Sequence, residues 1–314
     1  MRTKTTKASR TPIVNALLWL TAVHLAVSAV IFILWRISGD NARIELFFNY
    51  QGSLFIVLCA AAELLLAWIA FRQFSAGEPM RAVWLLIAFA SLYRFIGHTF
   101  SQILDTKSFL NPLYLILSPR DSSFYQTFQD LGLLVSGPLS MAVLAAGLYR
   151  MLRILRRLDM LSRLRPLDYL LISAVVAFTI RQAYEIVRWV EMTPPPYDPY
   201  KVLGWASDPL LSILLIEAIL IRRSAIGTGW GLLAKSWGGF SLAIFLTSLG
   251  DIGIWATSHN YLPWPYSSIT WYVWFLASAA YVLGPAYQVE ACRRAYGEAE
   301  RIAPRTQTPA SIPQ

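Results

Sequence analysis

The sequence predicts an all-α, polytopic membrane helix bundle of about eight transmembrane helices. Three observations lead there. Hydrophobic residues fill 56% of the 314 positions and charged residues only 14%, where soluble domains carry roughly 45–50% and about 25%. The apolar residues gather in runs of about 20, the length that crosses a hydrocarbon core as a helix, and the mean hydropathy is +0.49. Lys and Arg, finally, cluster at alternate connections between those runs.

The first span is expected over 13–35. A basic stretch, Met1–Arg10, precedes it as it would a signal peptide. Its apolar run of about 23 residues exceeds the 7–15 of a signal core, however, and no small-residue cleavage site follows Trp35-Arg36. It reads as a retained helix. Further spans are expected over 54–73, 82–104, 131–150, 167–190, 205–222, 236–257 and 269–291. Gly227–Gly231 and Gly238-Gly239 blur the start of the seventh. Between spans five and six, Pro194-Pro195-Pro196-Tyr197-Asp198-Pro199-Tyr200 must be extended or turn-like, and Tyr261–Tyr266, with two prolines, must be so after span seven. The longest connection, 105–130, contains Leu113–Leu117, too short to cross and expected to lie in the interface. The chain therefore divides into a basic cytoplasmic tail over 1–12, a transmembrane domain over 13–291 and a polar tail over 292–314, expected to be disordered.

Nineteen of the 27 Lys and Arg residues fall in the two tails and the second, fourth and sixth connections, and six fall on the opposite side. By the positive-inside rule the first group is cytoplasmic. Both termini are then inside a cytoplasmic (inner) membrane, an arrangement that eight spans satisfy. The charge of +9 is spread over these loops rather than gathered in one patch, so it reads as a topology signal, and no nucleic-acid partner is expected. The expected partners are the bilayer and a cytoplasmic signalling protein.

Even-numbered spans all end in Arg: Arg72, Arg150, Arg222 and Arg293. Pro138-Leu139-Ser140 in span four has a counterpart in Pro209–Ser212 of span six. Spans three and five each carry Arg followed four residues later by an ionisable group, Arg94/His98 and Arg181/Glu185. This pattern reads as repeated helical hairpins.

A charge inside a span costs roughly 2.5–3.5 kcal/mol at its centre, so each needs a reason. Arg94 is expected near mid-membrane. His98, Arg181, Glu185, Asp208 and Asp251 lie outward of it, with Asp130 at the rim. Arg94 and Arg181 against Glu185, Asp208 and Asp251 balance in sign and are expected to form a paired network around an outward-opening polar pocket, with Tyr93, Tyr184, Trp205 and Trp255 as walls. Glu63 and Glu217 stand apart on inward-running helices and read first as buried, hydrogen-bonded core residues, with a proton site as the alternative. Structural ion pairing without a ligand is the competing reading of the network.

No cofactor or metal is expected. Zinc needs three or four clustered ligands, and the three His and two Cys are scattered. His24 and His98 lie at different depths, which excludes a shared haem. Cys59 sits in apolar surroundings that do not activate a thiol. Gly227–Gly231 lacks the strand and Lys of a phosphate loop.

The pocket points first to a sensory or ligand-binding membrane module. In layout it resembles the seven- or eight-helix membrane input domains of bacterial histidine kinases and diguanylate cyclases; the tail from Glu298 to Gln314 is short and polar, so a partner is expected to carry the output. A small-solute transporter is the alternative, since Pro138, Pro209 and Gly284-Pro285 could break helices around a site. A membrane enzyme acting on a lipid-linked substrate ranks third: Arg94 and Arg181 would hold a phosphate and a carboxylate would act as base.

Overall fold

Helix boundaries follow from local chemistry. The computed structural model describes residues 11–39, 41–103, 130–195, 205–227, 231–258 and 269–302, with Val202, Gly229 and Tyr261; for Asp208 and residues 296–302 it describes the backbone alone. Helix α1 (Pro12–Ile37) opens on a proline, whose missing N–H costs nothing at a helix start, and Ile13 N–H is met by Glu290 Oε1 at 3.0 Å. Helix α2 (Ala42–Arg72) starts twelve residues before the expected boundary at 54. The side chain of Asn41 caps it by accepting from Arg43 N–H (2.9 Å), and Glu45 in the first turn suits the helix dipole.

Helix α3 (Pro79–His98) passes into a π-helical turn, Thr99–Ile103. A second π turn, Val135–Leu139, precedes α4 (Ser140–Arg157). Gly137 there leaves helical geometry (ψ −105°), and Pro138 follows it. The remaining long helices among the described residues are α5 (Pro166–Met192), α6 (Ser207–Gly227), α7 (Leu232–Ser258) and α8 (Ile269–Ile302). The last continues eleven residues past the expected end of its span at 291, so the segment expected to be disordered from 292 is helical as far as Ile302. The interfacial run Leu113–Leu117, residues 1–10 and 303–314, and most of both proline-rich connections lie outside the described residues.

Among the described residues no strand occurs and six helices are long and apolar enough to cross a membrane: Pro12–Ile37, Ala42–Arg72, Pro79–Ser101, Asp130–Arg157, Pro166–Met192 and Leu232–Thr257. The chain is a helical, multi-pass membrane protein. Helix α6 is more polar, with Glu217, Arg222 and Arg223, and the second half of α8 carries Gln288, Glu290, Arg293 and Arg294.

Packing closes six helices into a ring in the order α2, α3, α4, α6, α7, α8, and back to α2. Helix α1 lies outside against α2 and α8, and α5 lies outside against α6. Across the ring, Trp84 of α3 meets Trp237 and Phe240 of α7, all three sealed from the surroundings. The widest seam joins α7 to α8, where Gly239 and Gly284 bring the backbones together and Ser236 donates to the Gly284 carbonyl at 2.7 Å. Small residues and interhelical hydroxyls serve where lipid gives helices no hydrophobic reason to associate. The two outer helices bury little: 11% of the membrane-length window of α1 and none of α5, against 39–44% in the other four apolar helices.

One end of the bundle gathers the basic residues. There Asp168, at the start of α5, takes a two-pronged contact from Arg223 of α6 (2.6 and 2.7 Å) and the Arg165 N–H (2.8 Å). At the far end Trp35, Phe48 and Tyr272 of α1, α2 and α8 form an aromatic cluster.

Candidate functional site

Helix geometry brings together a pair that the sequence reading kept apart. Side chains lean toward the N-terminus of their own helix. In α3 that is the basic end, and in α2 it is the far end, so Arg94 and Glu63 lean toward one another. Arg94 Nε donates to Glu63 Oε2 at 3.0 Å, and its Nη2 meets Oε1. Both side chains are almost fully sealed, at 6% and 1% exposure. The ring of Tyr281 (α8) covers the guanidinium, with its centroid 4.1 Å from Cζ. The Tyr281 hydroxyl meets the side chain of Thr247 on α7.

Thr247, Asp251 and Trp255 follow one another at four-residue intervals, on one face of α7. Asp251 is half-buried and close enough to Tyr281 to act on it electrostatically. Trp255 lies beneath Arg181 of α5, with Cζ 5.6 Å from the ring, and meets Phe178 edge-on. Arg181 in turn holds Glu185 one turn along α5, through Nε at 2.9 Å and Nη2 at 2.6 Å. The i,i+4 pairing expected from the sequence is present, but this pair is open: 52% of the Arg181 side chain and 31% of Glu185 are exposed.

Among the described side chains the charges sort into two clusters of different character. Arg94 is matched by Glu63 rather than by Glu185 or Asp251. His98, at the end of α3, is half-buried within electrostatic reach of Arg94. Asp208 falls in the first turn of α6, and its side chain lies outside what is described. Of the expected walls, Trp255 flanks Arg181, Tyr184 lies under Arg188 on the exposed side of α5, and Trp205 meets Trp189 edge-on. The hairpin correspondence puts Arg94 in the ring and Arg181 on its outside, so equivalent positions have unlike surroundings.

No family model matches the chain, and no curated protein or solved structure matches it either.

Chemically, the first cluster is closed off. One edge of Arg94 is engaged by a carboxylate and its face by an aromatic ring, and both side chains are almost fully sealed, so burial keeps it from a ligand. The second cluster offers a cation, an anion and an indole at an accessible edge, a set suited to a solute bearing charge and an apolar body. Among the described residues no group of three or more His, Cys, Asp or Glu could hold a metal ion. Glu63 and Tyr281 are what the sequence reading missed as partners. The available signal was the opposed lean of side chains on antiparallel neighbours, which favours Glu63 over acids on helices farther along the chain.

Proposed function

We propose that the protein is a sensory or ligand-binding membrane module whose ligand meets Arg181, Glu185 and Trp255 in a cleft between α5 and α7. The contrast in accessibility carries this reading. One intramembrane ion pair is sealed, while the other is open along a helix that packs mainly against α6. A charge open within an apolar helix is costly and calls for an occupant or water beside it. The α7 face bearing Thr247, Asp251 and Trp255 runs from the open pair to the sealed one, a continuous route by which occupancy could bias packing inside the ring.

The same reading places all eight helices across a cytoplasmic (inner) membrane, with the basic end inside and the cleft opening outward. The distribution of Lys and Arg supports it. A cytoplasmic partner would then read the basic end.

A transporter is the second reading, favoured by the break at Gly137-Pro138, since interrupted helices line many transport sites. The sealed Arg94–Glu63 pair argues against a charged solute crossing the ring at that level.

The test uses the full chain in lipid nanodiscs and a panel of anionic, cationic and zwitterionic solutes, with thermal stability as the readout. At least one class should raise the melting temperature of the wild type and fail to raise that of Arg181→Ala or Glu185→Gln. A solute that stabilises all three equally would remove the cleft from consideration. Arg181-dependent accumulation of that solute in proteoliposomes would decide for transport.

A further inference from the structure

A second site lies at the basic end of the bundle, away from the cleft just described. A cavity of about 540 Å³ opens between α4 and the turn joining α2 to α3. Arg150, Arg153 and Arg157 line it from one face of α4, at spacings of three and four residues, and Arg81 faces them from the first turn of α3. Arg81 is braced by Phe71, whose ring centroid lies 5.0 Å from its Cζ. None of these four arginines forms an ion pair with a carboxylate among the described residues. Among the described residues Glu78 is the one acid in the lining, and its Oε1 already accepts from Ser75 N–H at 3.0 Å. Four arginines thus line one opening, with one acid beside them among the described residues.

The positive-inside rule explains why arginine is common at this end, but not why four surround one cavity while Arg156, on the same helix, does not line it. Planar guanidinium forks match phosphate oxygens two at a time, which makes a converging set of them a phosphate receptor. The volume exceeds one phosphate and falls in the range of small-molecule pockets. The floor is apolar, formed by Leu85 and Ile154. On α3 the same stripe continues from Leu85 to Phe89, which is 43% exposed, and on α4 from Arg150 to the exposed Ala146 and Ala142. An apolar strip thus leads out of a cationic mouth.

We infer that this cleft binds a phosphate-bearing anion, and that the apolar strip selects an anionic phospholipid, headgroup in the cavity and acyl chain along α3 and α4. Basic pockets between membrane helices at the cytoplasmic surface hold such headgroups.

Purified full-length protein in a neutral detergent would be titrated with phosphatidylglycerol, with phosphatidylcholine and with water-soluble glycerol phosphate, and bound copies counted by native mass spectrometry. Phosphatidylglycerol should bind most tightly. The double substitution Arg153→Gln/Arg157→Gln should weaken it about tenfold or more. Arg156→Gln, which removes a charge from the same turn without touching the cleft, should change it less than about twofold. Arg153→Lys/Arg157→Lys, which keeps the charge and loses the forks, should fall between. The three α4 arginines are exposed, so these variants leave the core intact, and an unchanged melting temperature checks that. Equal losses in Arg156→Gln and the double variant, or no preference for phosphatidylglycerol over phosphatidylcholine, would overturn the site. Glycerol phosphate binding as tightly as the lipid would overturn the lipid assignment and keep the phosphate receptor.

Discussion

Replacing Glu63 by Gln tests the claim that the ring is locked around Arg94. Gln conserves shape and still offers a carbonyl oxygen, so the perturbation is almost purely the loss of one charge. Arg94 stays where it was, 5% exposed, without a counter-ion. The Tyr281 face contributes to both variants and cancels from the difference. Leaving one member of a buried pair uncompensated costs about 3–5 kcal/mol. At roughly 2 °C per kcal/mol for a chain of this size, the melting temperature should fall by about 6–10 °C. Intrinsic fluorescence in nanodiscs reports it directly, because Trp84 and Trp237 pack at the centre of the ring. The double variant Glu63→Leu/Arg94→Leu should recover most of that loss, since an apolar pair of similar bulk is often no less stable than a buried ion pair. Below its melting temperature, Glu63→Gln should keep the solute response that Arg181→Ala and Glu185→Gln lose, because the open cleft is built from Arg181, Glu185 and Trp255. A loss under about 1 kcal/mol in Glu63→Gln would refute the argument, for it would mean that Arg94 finds water or another acid at that level.

Three further outcomes follow from the same packing. Glu217→Leu should raise stability by about 1–3 kcal/mol, measured by thermal unfolding, because Glu217 Oε2 is buried with no hydrogen-bond partner among the described residues. Gly239→Ala should lower stability by about 1–3 kcal/mol and broaden the transition, since a Cβ there would lie 2.8 Å from the backbone nitrogen of Gly284 and wedge α7 from α8. Asp168→Asn should cost about 2–3 kcal/mol and speed proteolysis within residues 158–165, because it weakens both the Arg223 fork and the cap on Arg165 N–H.

How much of this was legible in the sequence depends on what each feature requires. Helix existence needs only local apolarity, so α1, α3, α5 and α7 lie close to where hydropathy put them. The early start of α2 was hidden because Asn49, Gln51 and Gly52 dilute its first turns. Each has or borders a tertiary reason: Gln51 exchanges hydrogen bonds with Ser28 of α1, and Gly52 makes room for Phe275 of α8. Those reasons exist only once the neighbours are in place. The π turns were equally hidden, although Gly137-Pro138 marked where one of them falls. The ring order could not be read at all, because a helix apolar on every side carries no face signal.

The charged residues show why composition could find candidates yet could not assign them. Cost alone says that each intramembrane charge has a partner, and it treats Arg94 and Arg181 alike. What separates them is the position of the helix in the bundle. Helix α3 sits between α2 and α4, so a long side chain on its inner face must be neutralised within the ring, and α2 supplies Glu63. Helix α5 stands outside, where a partner one turn away on the same helix is within reach whatever surrounds it. An i,i+4 pair is thus the pattern expected of a charge on an outer helix, and an inter-helix pair that of a charge in the ring. By that criterion Arg181–Glu185 remains free to meet something from outside the fold, and Arg94–Glu63 does not.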